Sequence, residues 1–145
     1  MIGRLLLLGA AHVHLADHLR VADRRGARVT AVHDRDSRRR DRLASDLRAE
    51  PLASLPASAP GDWDAAIVCS ETAHHEADIT AALELGLPVF TEKPLAGDAA
   101  AAAALAARAA RAGGRLVTNY FMRRNAAVSA LRVAMAEGRL GRVLE

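Results

Sequence analysis

A single cysteine, Cys69, stands in 145 residues, which excludes an internal disulfide and any Cys-x-x-Cys metal or redox pair and points to a reducing, cytoplasmic setting. Aromatic residues make up only 3% of the chain. The core must therefore be aliphatic, and no interleaving of aromatic and basic side chains suggests a nucleic-acid surface, although the net charge is +3. Long apolar runs are missing as well. The run near the start, RLLLLG, holds four leucines, too few for a secretory h-region or a membrane span. Lysine is the scarcest cation: of 20 Lys plus Arg, only Lys93 is a lysine. A compact ammonium differs chemically from the planar guanidinium used everywhere else, so Lys93 stands out as a candidate for chemistry rather than solvation.

What is present is a regular alternation. Strand-length apolar runs fall at residues 4–8, 28–33, 63–69, 88–91 and 116–120, with a short strand near Leu52 inside the Pro-, Ser- and Ala-rich stretch 50–62. Between them lie segments of helical period. One carries Leu15, Leu19 and Ala22, one carries Leu43 and Leu47 behind a Ser37 cap, and one runs from His75 to Leu85 and stops at Gly86. An alanine-rich helix follows Asp98 and ends at Gly113-Gly114, and a last one covers 126–137 and stops at Gly138. Strand and helix alternating in this way predict a doubly wound α/β domain with a parallel sheet over residues 1–120. Residues 121–145 read as a connecting helix and the start of something further.

In such sheets ligands bind beyond the carboxyl ends of the strands, which selects the loops 9–14, 34–38, 70–75 and 91–94. In the first, GAAHVH, only Gly9 of a G-x-G-x-x-G fingerprint is present; Ala11 and His14 hold the second and third glycine positions. Glycine there admits the pyrophosphate and lets helix and strand pack closely, so the fingerprint alone is weak. Its context is better, because the loop follows the first strand and opens a helix. Asp34 also lies about 20 residues beyond His14, the spacing of a ribose-binding carboxylate. A carboxylate there favours NAD and repels a 2'-phosphate. Arg35 and the run Arg38, Arg39 and Arg40 keep NADP open, their other reading being a solvated first helical turn.

Six histidines raise a second class of function. His12-x-His14 after a first strand has the form of the metal pair of barrel hydrolases, and His14 with His18 has helical zinc-gripping spacing. Such barrels need roughly 250 residues, and no carboxylate-plus-histidine set is visible at the other strand ends, so no metal is expected.

These pieces together carry a resemblance. GAAHVH, VTAVHDRD, CSETAHHE, LGLPVFTEKPLA and NYFMRRNAAVSALRVAMAEGRLGRV follow one another as in the N-terminal half of the glucose-fructose oxidoreductase, inositol dehydrogenase and MocA (Gfo/Idh/MocA) family. The chain resembles that half nearly end to end, and Glu-Lys-Pro is its most specific motif. The resemblance implies a Rossmann domain binding NAD, with NADP possible, for hydride transfer on a sugar, polyol or related small molecule. It places Gly9, Ala11, His12, His14, Asp34, Arg35, Ser70, His75, Glu92 and Lys93 along the cofactor. Lys93 is implied to be catalytic at the substrate oxygen, Glu92 to orient it or touch the nicotinamide ribose, and Pro94 to follow a cis bond. His75 is implied to be structural or cofactor-adjacent. A second α/β domain, beginning near Val143 to Glu145, would supply the substrate pocket, so the chain is expected to self-associate or pair with a chain carrying that half. A non-catalytic nucleotide-sensing module is the competing expectation.

Overall fold

The computed structural model describes residues 3–58 and 61–142. The expected onset of a further strand at Val143 to Glu145 lies outside the described residues, as do two positions of the 50–62 loop.

Six strands form one parallel sheet: β1 (Arg4–Leu8), β2 (Arg28–His33), β3 (Glu50–Leu52), β4 (Ala65–Val68), β5 (Val89–Thr91) and β6 (Leu116–Thr118), in the order β3-β2-β1-β4-β5-β6. The chain starts at the centre, winds out to one edge, returns, and winds out to the other. At the reversal, Leu8 of β1 sits opposite His33 of β2 on one side and Val68 of β4 on the other.

The four leucines of β1 explain its central place. Successive side chains of a strand point to opposite faces. Leu5 and Leu7 accordingly enter a core with Val29, Val32 and Ile67 under α1 (Leu15–Arg24) and α2 (Ser37–Leu47). Leu6 and Leu8 enter the other, with Val68, Ile79 and Leu105, under α3 (Thr72–Glu84) and α4 (Ala99–Arg111). A strand buried on both faces reads as a continuous apolar run, and burying each leucine contributes about 2 kcal/mol.

Several boundaries differ from the sequence reading, β4 for instance spanning Ala65–Val68 within the expected 63–69. Helix α2 is capped by Asp36, not Ser37, since the Asp36 carboxylate accepts from the amides of Arg38 and Arg39. Helix α3 begins at Thr72 rather than His75: Glu71 is extended and its carbonyl takes the His74 amide at 2.8 Å, so the first turn closes before the apolar period of Ile79, Ala82 and Leu83 begins. Strand β6 stops at Thr118, where the backbone turns toward a short 3-10 segment, Phe121–Arg124. Asp98 caps α4 as expected, accepting from the Ala101 amide at 2.8 Å.

Helix α5 (Ala126–Ala136) buries none of its residues. Leu131, Val133 and Met135 are exposed on it, as are Val117, Phe121 and Met122 just before it. Among the described residues no helix is long and apolar enough to cross a membrane.

Candidate functional site

The strand-end cleft opens where β1 and β4 part. Gly9 adopts φ +75°, and a Cβ on it would lie 2.3 Å from the Cα of Ser70, so the β1 loop can lie against β4 only with glycine at this position. The amides of Ala11 and His12 donate to the Cys69 carbonyl at 3.1 and 3.0 Å, closing the loop onto β4. Cys69 itself is buried, and burial together with the negative charge of Glu92 pushes its thiol up to about 12. His14 begins α1 without any side-chain cap, leaving the positive end of the helix to face the cleft. Ser70 Oγ is buried and has no hydrogen-bond partner among the described residues. A helix start without a side-chain cap can offer its positive end to an anion; the His14 ring at the third glycine position narrows the approach.

On the adenosine side stands Asp34, nearly inaccessible to solvent. Its carboxylate accepts four hydrogen bonds, two on each oxygen. The Ala10 amide (2.7 Å) and Arg39 Nε (2.8 Å) reach Oδ2, while the Asp36 amide (2.8 Å) and Arg39 Nη2 (2.8 Å) reach Oδ1. Burial would raise its pKa, but the Arg39 fork and the two amides outweigh burial and hold it below the ordinary carboxylate range. Two oxygens offer about four acceptor sites, so the ribose-binding expectation meets a carboxylate with none to spare while Arg39 stays in place.

Arg39 also donates to Glu71 at 2.9 Å, spanning from α2 to the start of α3. Arg35, expected near a 2'-phosphate, is instead ion-paired with buried Asp78 on α3 at 2.8 Å. A cavity of about 360 Å³ next to Ala10 is lined by Arg38, Arg39 and Arg42. The run of arginines is thus not a uniformly solvated face: Arg39 is bound on the cleft side, and Arg38 and Arg42 share the cavity with it.

On the other side stands Glu92, the residue after β5, with 0% exposure. His18 Nε2 lies 2.5 Å and Asn119 Nδ2 2.7 Å from its Oε1, and the Lys93 amide donates to Oε2 at 3.0 Å. His14 Nδ1 lies 3.4 Å from Oε1 and His12 Nε2 3.7 Å from Oε2. Burial pushes the carboxyl up, yet the bonds from Asn119, His18 and the Lys93 amide, with the charge of His12, bring it down to about 2. Glu92, expected to orient Lys93 or touch the nicotinamide ribose, holds the backbone of Lys93 and turns its carboxylate toward three histidines; among the described residues no ion pair joins it to the Lys93 ammonium. This also overturns the premise that no carboxylate joins histidines at a strand end. The partners are 74 to 80 residues apart in sequence, beyond the reach of any spacing rule.

The Lys93–Pro94 bond is cis. The Lys93 side chain is exposed at the cleft rim rather than desolvated. His75 is wholly buried, with Nδ1 2.7 Å from the Pro94 carbonyl and Nε2 3.1 Å from the Ser70 carbonyl, so one ring ties the Lys-Pro turn to the end of β4. Of the site residues, sequence reasoning passed over Asn119 alone; it named Arg39 only as one of a run and His18 only by its spacing from His14. His18 had a signal in its four-residue spacing from His14; Asn119 had none beyond lying at the end of a strand.

Over residues 4–120 the chain matches the family described as "Oxidoreductase family, NAD-binding Rossmann fold". It is 39% identical over 146 residues to an inositol 2-dehydrogenase of Streptomyces avermitilis, a match covering 95% of this chain and 41% of that protein. To an inositol 2-dehydrogenase of Acidiphilium cryptum it is 38% identical over 133 residues, covering 88% and 40%. A solved 3-ketoreductase from Actinomadura kijaniata, in complex with TDP-benzene and NADP, is similar with a TM-score of 0.78 at 27% identity, covering 95% of this chain and 44% of that one. The chain spans about 40% of the length of the curated relatives it matches.

Proposed function

The chain belongs to the Gfo/Idh/MocA oxidoreductase family, and from that premise we propose that it is the dinucleotide-binding half of an NAD(P)-dependent oxidoreductase acting on a cyclic polyol or sugar. The observation that carries this is the reversal of the sheet between β1 and β4, where Gly9 brings the β1 loop against Ser70 and α1 opens without a side-chain cap. The substrate class follows from the relatives, which bear the name inositol 2-dehydrogenase. A lone buried cysteine fits a reducing compartment such as the cytoplasm.

In this reading the Ala16 amide in the first turn of α1, the positive end of that helix and Ser70 Oγ hold the pyrophosphate, Leu15 and Asp17 already donating to the His12 and His14 carbonyls. At the adenosine end Arg39 and its neighbours favour a 2'-phosphate, because a ribose hydroxyl gains Asp34 only when Arg39 lets go. The nicotinamide ring supplies the hydride acceptor or donor. Lys93 reaches from the rim to the substrate oxygen and donates to it as alkoxide character develops, a task suited to a compact cation. His75, wedged between the Pro94 and Ser70 carbonyls and donating to one of them, keeps the Lys-Pro turn in register with the end of β4. The exposed apolar side chains of α5 and of the segment before it are the place for a second domain or a second copy to dock. Sedimentation at rising concentration is expected to show association of this chain.

Calorimetric titration with NADH and NADPH tests the reading. One equivalent of at least one of them is expected to bind, and Ser70→Ala is expected to weaken it about three- to tenfold, the worth of one hydrogen bond. A protein that is folded by circular dichroism and binds neither overturns it.

A further inference from the structure

The ring of histidines around Glu92 has no part in the hydride chemistry above. A buried carboxylate is stable when paired with a cation or bound to a metal. Among the described residues no arginine or lysine ammonium lies within ion-pair distance of Glu92; its ionic neighbours are His12, His14 and His18.

The donor atoms are gathered as a metal would gather them. One ligand atom each from His12, His14 and Glu92 lies within 4.8 Å of the others. A tetrahedral zinc with bonds of about 2.0–2.1 Å sets its ligand atoms about 3.3–3.4 Å apart. His14 Nδ1 lies 3.4 Å from Oε1 and His12 Nε2 3.7 Å from Oε2, spacings that place the two rings one at each oxygen of the carboxylate. The loop is shaped for this: Val13, between the two histidines, is 84% exposed while both rings turn inward. Asn119 and His18 hold the Glu92 carboxylate at Oε1, as ligating carboxylates are commonly held. The His14 ring is 35% exposed, leaving a route from solvent.

We propose that His12, His14 and Glu92 form a binding site for a divalent first-row transition cation of the zinc type. The proton balance is simple. The His14 amide donates to His12 Nδ1 at 3.3 Å, leaving the ring proton on Nε2 toward Glu92. Cation binding at Nε2 moves that proton to Nδ1 and gives up this long hydrogen bond. His18, too close to Oε1 to be a separate ligand beside it, stays as the hydrogen-bond partner of the carboxylate.

The site stands on the side-chain cluster and not on the dinucleotide reading, and a titration without dinucleotide tests it separately. Cobalt(II) added to the metal-free protein is expected to bind at one equivalent with the intense visible absorption of four-coordinate cobalt, and zinc is expected to displace it. His14→Asn and Glu92→Gln are each expected to abolish the band. Asn119→Ala should weaken binding about 10- to 100-fold, while His74→Asn, outside the cluster, leaves it unchanged. If Glu92→Gln does not fold, the half-exposed His14 position decides alone. Absence of saturable cobalt or zinc uptake overturns the proposal, and so does uptake that His14→Asn leaves intact.

Discussion

Asp34 and Glu92 close strands of the same sheet, both are buried, and both are kept ionised by their surroundings. Asp34 is matched by a guanidinium that carries its charge at every ordinary pH, in a two-pronged contact that fills its acceptor sites. Glu92 is matched by imidazoles whose charge depends on pH, and its contacts leave the His12 side of Oε2 without a hydrogen bond. The first arrangement is a closed structural pair and the second an open, titratable one. A corner that is saturated sets affinity and shape. A corner that is unsaturated is where chemistry can be added.

The sharpest break of this contrast is at Lys93, whose amide is held by Glu92. In the protein joined to a second domain of the kind its relatives carry, Lys93→Met is expected to lower kcat by about two to three orders of magnitude with dinucleotide affinity unchanged. Lys93→Arg should not restore turnover, because a planar fork cannot place one donor on the same point. Steady-state kinetics beside binding decide, and full activity of the Arg variant would sink the catalytic role.

Next in size is the response to acid. The Glu92 carboxyl sits at about 2 in the fold against an ordinary 4.5. A depressed pKa contributes stability that is fully present above the ordinary value and is lost as pH falls toward the folded one. Stability on the order of 3 kcal/mol should therefore disappear between pH 4.5 and 2. Urea denaturation across that range should be steep for the protein and flatter for Glu92→Gln; parallel curves would remove Glu92 from the account.

At the other corner Arg39→Ala is expected to reverse the roles. It frees Asp34 for ribose hydroxyls and removes a phosphate donor, so the NADP-to-NAD affinity ratio should drop about tenfold, the worth of one charge-assisted hydrogen bond. An unchanged ratio in paired titrations would leave Arg39 a purely structural brace. The smallest effect is expected from Asp36→Ala, which removes the α2 cap behind Arg39 and should cost about 1 kcal/mol in thermal unfolding.

The two corners were unequally readable before the structure. The order of strands and helices followed from apolar runs alternating with helical periods, and the leucines of β1 marked the centre because only a doubly covered strand is apolar at every position. Asp34 was found by its distance from the β1 loop. Its saturation was not, since Arg38, Arg39 and Arg40 are alike as letters and only the first turn of α2 selects Arg39 to fold back. Glu92 was found as part of a motif, but its histidine and asparagine partners come from β1's loop, α1 and the end of β6. Contacts of that range arise from sheet topology. Local pattern is also silent on caps one residue apart, which is why Ser37 was expected where Asp36 serves.

The close approach of Gly9 to Ser70 has a consequence for how glycine fingerprints are read in general. At position 9 a side chain would strike the protein's own backbone, so glycine is demanded there whether or not any ligand is ever bound. At the positions held by Ala11 and His14, the demand for glycine comes largely from the cofactor and from helix packing, and this chain folds with a methyl and an imidazole in their place. The three glycines of such a loop thus answer different questions. The first speaks for the architecture, while the later two speak for the occupant, and a loop that keeps only the first is free to bring new side chains to the mouth of an old fold.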